Sequence, residues 1–408
     1  MAIGRVAITA AALLISHAAC RNAPGANEEP GAWYRASLSF DKLGELPFFL
    51  HLPAVGKHGK AYVLNGEENA DFDAEWNGNE VSIKGPWNYP SAITATRYDT
   101  GELRGKWTRY TPLWGAVVRE FSADLIDRPD PMLRFGPGAK PKASAAGIWR
   151  FHFDTHAEGK GVFEQNSDGV VRGYVKPGEL GDIRFLAGNM RGLKLSLSQF
   201  NGNAANLVVA ELSPDGTSMT GIVSLENVWN ERFTAKKGGD FDVVAKVHIK
   251  DGTKSVKLRG LDRYRGKPTL AFIFATWCSS CNDASPYLAQ LYATYHPRGL
   301  EMLGVAYDLT TDEKANLAEL DIFREKYKIP WELEQVPCTP ETWAASMPPE
   351  LDGWEGLPIL ILVRPDGSVQ SVFGGWFGPA TGADGEKRRK TVEQAVDQLV
   401  AGTRAKHG

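Results

Sequence analysis

The pattern with the clearest chemistry is a pair of cysteines separated by two residues, Cys278 and Cys281. A buried-strand pattern, Thr269–Phe274, precedes the pair, and a helical pattern, Ser279–Tyr295, begins between the two cysteines. On the first turn of a helix this spacing brings both sulfurs within disulfide reach. Cys278 then lies at the positive end of the helix dipole, where the pKa of a thiol falls from about 8.5 to roughly 3.5–7.5. The pattern predicts that Cys278 is a thiolate nucleophile and that Cys281 resolves the mixed disulfide.

Two other interpretations of this pair stay open from the sequence. The cysteines would form half of a zinc site, but no second pair of this kind and no paired histidines follow at ligand spacing. They would form an inert structural disulfide, but closing a loop of two residues does little for stability. A further cysteine, Cys338, is expected to be a lone buried or loop thiol, with disulfide resolution or Cu(I) binding as the alternatives.

A weaker constellation lies far upstream of the cysteines. Three residues with metal-ligand side chains alternate along one predicted strand: His152, Asp154 and His156. The aromatic residues of the same strand point to the opposite face: Trp149, Phe151 and Phe153. Such a polar face is more often the solvated side of an edge strand than a metal site, so we predict no bound metal.

The elements that position the cysteine pair alternate between strands and helices from about Gly239 onward. Each has an apolar run or a helical spacing of apolar residues, and the second helix is expected to bury Leu317, Leu320 and Phe323. In chain order they are Thr269–Phe274, Ser279–Tyr295, Met302–Ala306, Asp312–Tyr327, Pro358–Val363, Ser368–Phe373 and a closing helix at about Lys387–Val400. The order β-α-β-α-β-β-α predicts layers of helices around a mixed sheet.

Four short segments then identify a resemblance. They are Gly266–Cys281, Arg298–Glu301, Leu357-Pro358 and Arg364–Gly367. Together they resemble the TlpA/ResA family of extracytoplasmic thioredoxin-like disulfide reductases, over roughly residues 241–402. The preceding β-region and the segment 377–382 are similar to a long-chain branch of that family. The resemblance implies a thioredoxin-like domain for residues 239–408.

The resemblance also implies roles for residues outside the cysteine pair. Pro358 matches the position at which thioredoxin-like proteins keep a cis-proline facing the cysteines, although an ordinary trans proline at a strand start is the alternative. The backbone of Leu357 is implied to pair with the main chain of a substrate, as an added strand would. Trp277 is expected at the rim beside the cysteines.

The sequence departs from the family at three places near the pair. Ala284 stands where members often carry a glutamate, and Phe272 stands where thioredoxins keep a buried aspartate. The usual proton acceptor for the Cys281 thiol is therefore missing or displaced. Asp283 would serve through a water molecule, but a solvated carboxylate at the helix start is the favoured interpretation. Ser279-Ser280 replaces the common dipeptide that contains proline, so no redox potential carries over.

The region upstream of the cysteine domain is expected to be all-β. Short strands are separated by turn dipeptides such as Asn77-Gly78 and Asp168-Gly169, at sandwich or barrel intervals. The two sides of a proline-rich linker, residues 127–147, look alike. We therefore predict two related antiparallel β-meander units, residues 33–126 and 148–238.

The first residues have the pattern of an export signal. Arg5 precedes an apolar run, Val6–Ile15, that is too short to span about 30 Å of hydrocarbon. Small residues then lead to Cys20, which resembles a lipoprotein cleavage site, with plain secretion as the alternative. Residues 1–20 are predicted to be the signal, with lipid on Cys20, and residues 21–32 to be a tether.

Composition narrows the classes of function. The chain has 408 residues, 43% of them apolar, and a formal net charge of −3. An ordinary globular composition excludes a wholly disordered chain, and the absence of a basic surplus removes the electrostatic case for nucleic-acid binding. The mature chain contains no run of 18 apolar residues, so no transmembrane helix is expected.

The sequence as a whole predicts an exported, membrane-anchored thiol–disulfide oxidoreductase that acts as a reductase in the periplasm. It needs no cofactor besides the Cys278–Cys281 dithiol. The resemblance implies a membrane thiol carrier as electron donor, and apocytochromes or copper-protein cysteines as acceptors. Two alternatives stay open: a binding protein whose β-region captures substrate, and a Cu(I) chaperone that uses Cys278, Cys281 and Cys338.

Overall fold

The structure, a computed structural model, describes residues 31–404 except for 86–88, 113–114, 156–157, 179–180 and 244–245. The predicted signal at residues 1–20, the lipidation at Cys20 and nearly all of the predicted tether lie outside the described residues. Among the helices of the described part, none is both long and apolar enough to cross a bilayer.

The first β-unit is a closed barrel of eight antiparallel strands in sequence order. The strands are β1 Gly31–Phe40, β2 Gly44–Pro53, β3 His58–Asn65, β4 Glu68–Asn77, β5 Glu80–Lys84, β6 Ser91–Arg97, β7 Leu103–Thr111 and β8 Gly115–Ile126. Pairing of β1 with β8 closes the barrel. The tight turns use glycines at positive φ, such as Gly78 at 62° and Gly101 at 86°, where a side chain would be strained.

The second β-unit repeats this plan. Its strands are β9 Gly147–Phe153, β10 Gly159–Gln165, β11 Val170–Pro177, β12 Ile183–Arg191, β13 Lys194–Phe200, β14 Ala205–Leu212, β15 Ser218–Leu225 and β16 Trp229–Gly238. Pairing of β16 with β9 closes this barrel. Trp149, Phe151 and Phe153 of β9 point inward and are buried, as the alternation predicted. His152 points outward and is exposed.

The two barrels pack tightly against each other, so the linker is not their only connection. Phe200 of the second barrel lies in the core of the first, with its ring 4.4 Å from that of Phe48. The linker contributes Arg134, which is 2% exposed and donates hydrogen bonds to Leu64 and Asn65 of the first barrel and to Ser198 of the second. The all-β expectation is confirmed, and both units close into barrels.

The C-terminal domain is a five-stranded mixed sheet with helices around it. This confirms the thioredoxin-like fold that the sequence predicted. Its sheet elements and the small added pair are β17 His248–Ile249, β18 Thr269–Phe274, β19 Glu301–Ala306, β20 Glu332–Gln335, β21 Leu351–Asp352, β22 Ile359–Val363 and β23 Val369–Gly374. The helices are α1 Ser279–Tyr295, α2 Glu313–Tyr327, α3 Trp343–Ser346 and α4 Ala383–Arg404. The strand order is β20-β19-β18-β22-β23, with β18 at the centre.

Three details of this domain differ from the sequence predictions. Strand β20 joins the sheet edge, in parallel with β19, although no strand was predicted there. Helix α2 buries Asn316, Leu320 and Phe323, whereas Leu317 is 50% exposed. The predicted set was wrong at Leu317, because the buried face follows the i, i+4, i+7 spacing that begins one residue earlier. The closing helix, α4, is longer than predicted at both ends.

Candidate redox site

The two cysteines lie where the central strand passes into helix α1. Cys278 is the N-cap residue of α1, and the Cys281 N–H donates to its Sγ at 3.2 Å. The pair forms a disulfide, with Cα atoms 5.2 Å apart. Cys278 is 8% exposed and Cys281 is 0% exposed. The outer sulfur is therefore the one that a partner reaches first, and the inner one is shielded.

The loop before β22 faces Cys278 from the other side. The Leu357–Pro358 peptide bond is cis, which is the geometry that the resemblance implied. The carbonyl oxygen of Leu357 lies 3.7 Å from Cys278 Sγ. The structure thus brings Cys278, Cys281, Leu357 and Pro358 together.

Trp277 begins a row of indole rings beside the cysteines. Its N–H donates to the Tyr307 carbonyl oxygen at 3.3 Å. Its ring meets that of Trp343 edge-on at 6.1 Å, and the Trp343 ring meets that of Trp354 at 5.6 Å. All three tryptophans are half-buried. The rim position expected for Trp277 is observed, but Trp343 and Trp354 were not predicted.

A buried carboxylate that the sequence analysis missed supports the segment just before the cysteines. Asp308 is 0% exposed, and its Oδ1 accepts hydrogen bonds from the N–H and the hydroxyl of Thr276, both at 2.8 Å. Burial raises the pKa of Asp308 from its ordinary 3.8 to about 6, and the two hydrogen bonds oppose that rise. The signal was available, because Asp308 follows β19, whose carboxyl end lies beside that of β18.

The first barrel reaches this cluster through Tyr89. The Tyr89 and Thr276 hydroxyl oxygens are 3.2 Å apart. Because Thr276 donates its hydroxyl proton to Asp308, Tyr89 donates to Thr276 in turn. Burial and the nearby Asp308 carboxylate raise the pKa of Tyr89. No local sequence pattern links residue 89 to the cysteine pair, so this contact could not be predicted.

Asn282 fixes the turn that carries Cys278. Its side-chain amide donates to the carbonyl oxygens of Thr276 at 3.0 Å and Cys278 at 2.7 Å. The Tyr327 hydroxyl donates to the Asn282 Oδ1 at 2.5 Å. These bonds hold the backbone on both sides of Trp277, so the outer cysteine is positioned by a side chain of its own helix.

The interpretation of Asp283 as a solvated carboxylate was wrong. Asp283 forms an ion pair with Arg184 of the second barrel, and the two side chains are 20% and 15% exposed. The carboxylate points to the barrel, because the segment that leads into β12 approaches α1 closely at Gly181 and Ser280. Neither solvent nor Cys281 is its principal partner.

Cys338 and the upstream histidine–aspartate constellation are the remaining candidates. Cys338 is a free, buried thiol whose pKa is raised by its burial. His152 and Asp154 are exposed, and His156 lies outside the described residues. Among the residues that the structure describes, no three His, Cys, Asp or Glu side chains cluster closely enough to hold a metal ion.

The C-terminal domain has recognisable relatives. Residues 240–380 match the AhpC/TSA family. The thiol-disulfide oxidoreductase ResA of Oceanobacillus iheyensis is 38% identical over 50 residues, which are 12% of this chain and 26% of that protein. ResA of Geobacillus thermodenitrificans is 40% identical over 45 residues, 11% of this chain and 26% of that protein. The chain thus spans about a quarter of the length of these relatives.

Solved structures show the same kind of similarity. A thioredoxin-family thiol:disulfide interchange protein from Chlorobium tepidum is 20% identical, with a TM-score of 0.26, over 34% of this chain and 84% of that chain. A secreted disulfide oxidoreductase of Mycobacterium tuberculosis is 18% identical, with a TM-score of 0.25, over 34% of this chain and 86% of that chain.

Proposed function

We propose that this chain, whose C-terminal domain is a TlpA/ResA-like thioredoxin-fold domain, is a thiol–disulfide oxidoreductase that reduces protein disulfides through Cys278 and Cys281. The observation that supports this most directly is the unequal burial of the two sulfurs at the start of α1. Cys278 is 8% exposed, and Cys281 is fully buried behind it. One sulfur is placed to attack a partner and the other to complete the exchange.

The exchange balances in two steps. The Cys278 thiolate attacks one sulfur of a substrate disulfide, and the S–S bond breaks to release the other substrate sulfur as a thiolate that takes up a proton. The Cys281 thiolate then attacks Cys278 Sγ in the mixed disulfide and releases the second substrate thiol. Two electrons pass to the substrate, and the Cys278–Cys281 disulfide is left behind.

The backbone at Leu357 is suited to hold the substrate during this exchange. Its carbonyl oxygen faces Cys278 Sγ at 3.7 Å. An extended substrate segment that pairs with this backbone is thereby aligned with the reactive sulfur, as in the addition of a strand to a sheet edge. Trp277, the residue before Cys278, is held by its hydrogen bond to the Tyr307 carbonyl oxygen, and we propose that its ring forms the other wall of this position.

The location and partners of the reaction rest on the sequence. An exported chain anchored by lipid on Cys20 acts in the periplasm, where a reductase needs a supply of electrons. We propose a membrane thiol carrier as donor. The proposed acceptors are oxidised cysteines in apocytochromes or copper proteins.

Trapping of the mixed disulfide tests this function. In Cys281→Ala the second step is lost, so mixed disulfides through Cys278 should accumulate and be released by dithiothreitol. Cys338→Ala is the matched control and should trap nothing. If Cys281→Ala forms no more mixed disulfide than Cys278→Ala, Cys278 is not a nucleophile and the proposal fails.

A second candidate role belongs to the barrels, which would capture the substrate for the redox domain. The contacts of Tyr89 with Thr276 and of Arg184 with Asp283 favour it, because both barrels touch the segment that carries the cysteines. In the trapped Cys281→Ala complex, hydrogen exchange should then slow on barrel strands as well as at residue 357. Protection confined to the C-terminal domain would contradict capture.

A further inference from the structure

The second barrel makes a charged contact with the helix that carries the cysteines. Arg184, at the start of strand β12, pairs through its guanidinium with the carboxylate of Asp283. Both side chains are mostly buried, at 15% and 20% exposed. Because water is largely excluded from this ion pair, its electrostatic attraction is stronger than that of an exposed surface pair.

Neighbouring contacts hold Arg184 in place. Gly181 lies so close to Ser280 of α1 that a Cβ there would collide with the serine hydroxyl. The Gly378 N–H donates to Asp182 Oδ1 at 2.7 Å. A Cβ on Gly378 would likewise collide with the Arg184 guanidinium. The chain around Arg184 is therefore fitted to both α1 and the segment before α4.

An unpaired negative charge on Asp283 would disfavour the thiolate form of Cys278. It lies five residues after Cys278, and at a rise of about 1.5 Å per residue the axial separation is about 7.5 Å. A negative charge near the start of α1 opposes the formation of a second negative charge on the N-cap sulfur, whereas the helix dipole favours it. Pairing with Arg184 makes the net charge at that position zero.

We propose that Arg184 is a positioning residue of the redox site, which acts through Asp283 to keep the charge beside the helix start neutral and so favours the Cys278 thiolate. This inference rests on the proposed function. The second barrel would then contribute to the redox site, because the residue that neutralises the charge of Asp283 comes from β12 and not from the thioredoxin-like domain.

Other charged and titratable groups face this region from the elements packed against it. Asp182 comes from the second barrel, Asp308 from the loop after β19, Tyr327 from α2 and Tyr89 from the first barrel. Each has its own hydrogen-bond partner, and none of these partners is Arg184. Burial raises the pKa of Asp182 and the Arg184 charge opposes that rise, so the test has to separate the two aspartates.

The test measures the pKa of the Cys278 thiol in the reduced full-length chain. The rate of alkylation by iodoacetamide is followed across a pH series on the peptide that contains Cys278. In Arg184→Gln we expect that pKa to rise by about 0.5–1, which lowers the thiolate fraction about three- to tenfold below the pKa. Arg184→Lys keeps the charge and should stay close to the wild type.

A second pair of variants separates charge from structure. Asp283→Asn removes the carboxylate, so the double variant Arg184→Gln/Asp283→Asn should return to the wild-type pKa or below it. Arg172→Gln, a surface arginine of the neighbouring strand β11 that pairs with Glu67, is the matched control and should change nothing. An unchanged pKa in Arg184→Gln, or an equal rise in the double variant, would overturn the inference.

The outcomes also distinguish this inference from the proposed function. If Cys278 of the wild type is alkylated like a free cysteine, with a pKa of about 8.5, the proposed function itself fails. If the wild-type pKa is low and Arg184→Gln leaves it low, the proposed function stands and only the role of Arg184 is refuted.

Discussion

Asp308 makes the stability of the protein depend on pH. Its pKa is about 6 in the folded chain, because the carboxyl group is buried, against 3.8 for an ordinary aspartate. The folded state therefore binds more protons than the unfolded state between these two values. The resulting stabilisation is complete below pH 3.8 and is lost as the pH rises through about 6.

Replacement of Asp308 by asparagine should remove this dependence. The introduced amide cannot ionise but keeps an oxygen to accept from Thr276, so the free energy of unfolding of Asp308→Asn relative to wild type should increase by about 2–3 kcal/mol from pH 4 to pH 7.5. Urea unfolding at several pH values measures this. Asp262→Asn, at an exposed aspartate, is the control, and parallel pH curves for wild type and Asp308→Asn would contradict the expectation.

At the scale of the residue, the sequence identified what local chemistry specifies. Cys278 and Cys281 could be recognised because spacing and neighbouring elements define their positions, and Pro358 was implied by the resemblance to the TlpA/ResA family. Asp308 was missed although its place directly after β19 was a usable signal. Tyr89 and Arg184 could not be recognised, because each reaches the site through a tertiary contact with residues far away in the chain. The same reason explains the error at Asp283, whose partner lies 99 residues upstream.

At the scale of the element, apolar periodicity located the helices and central strands well. Strand β18 and helix α1 have the predicted bounds, because a continuous apolar run and a helical spacing define them. Strand β20 was missed because Glu332–Gln335 is short and carries charged side chains. It is a strand because β19 offers a free edge, which the local sequence does not reveal.

Two leucines of helix α2 test which face of the helix is buried. Leu320 is 4% exposed, whereas Leu317, which the sequence analysis also placed in the core, is 50% exposed. Leu320→Ala should lower the free energy of unfolding by about 2–5 kcal/mol, because it removes buried methyl groups and leaves a cavity. Leu317→Ala should change it by less than about 0.5 kcal/mol. Urea unfolding compares the two, and equal losses would contradict the described face.

At the scale of the whole molecule, the likeness of the two sides of the linker predicted two β-units but not how they join. Strand number and alternation are local, and they define a meander. Closure depends on how β1 meets β8 and how β9 meets β16, which no single turn specifies. The entry of Phe200 into the core of the first barrel likewise arises only when both units are present.

We therefore expect Arg134 to stabilise the contact between the two barrels. Its buried guanidinium donates to Leu64, Asn65 and Ser198, and its burial lowers its pKa to about 9. Arg134→Ala leaves these acceptors without their donor and should lower the free energy of unfolding by about 3–5 kcal/mol. Arg134→Lys cannot span all of the acceptors, so its loss should be intermediate.

Differential scanning calorimetry distinguishes a residue that couples the two barrels from a residue that only stabilises a core. If Arg134 couples the barrels, Arg134→Ala should split or broaden the β-region transition, because each barrel retains its own closed hydrogen-bond network while losing part of the surface between them. Arg232→Ala, at an exposed arginine of strand β16 in the second barrel, should leave the transition unchanged. A single sharp transition near the wild-type temperature in Arg134→Ala would show that Phe200 and its neighbours suffice to hold the barrels together.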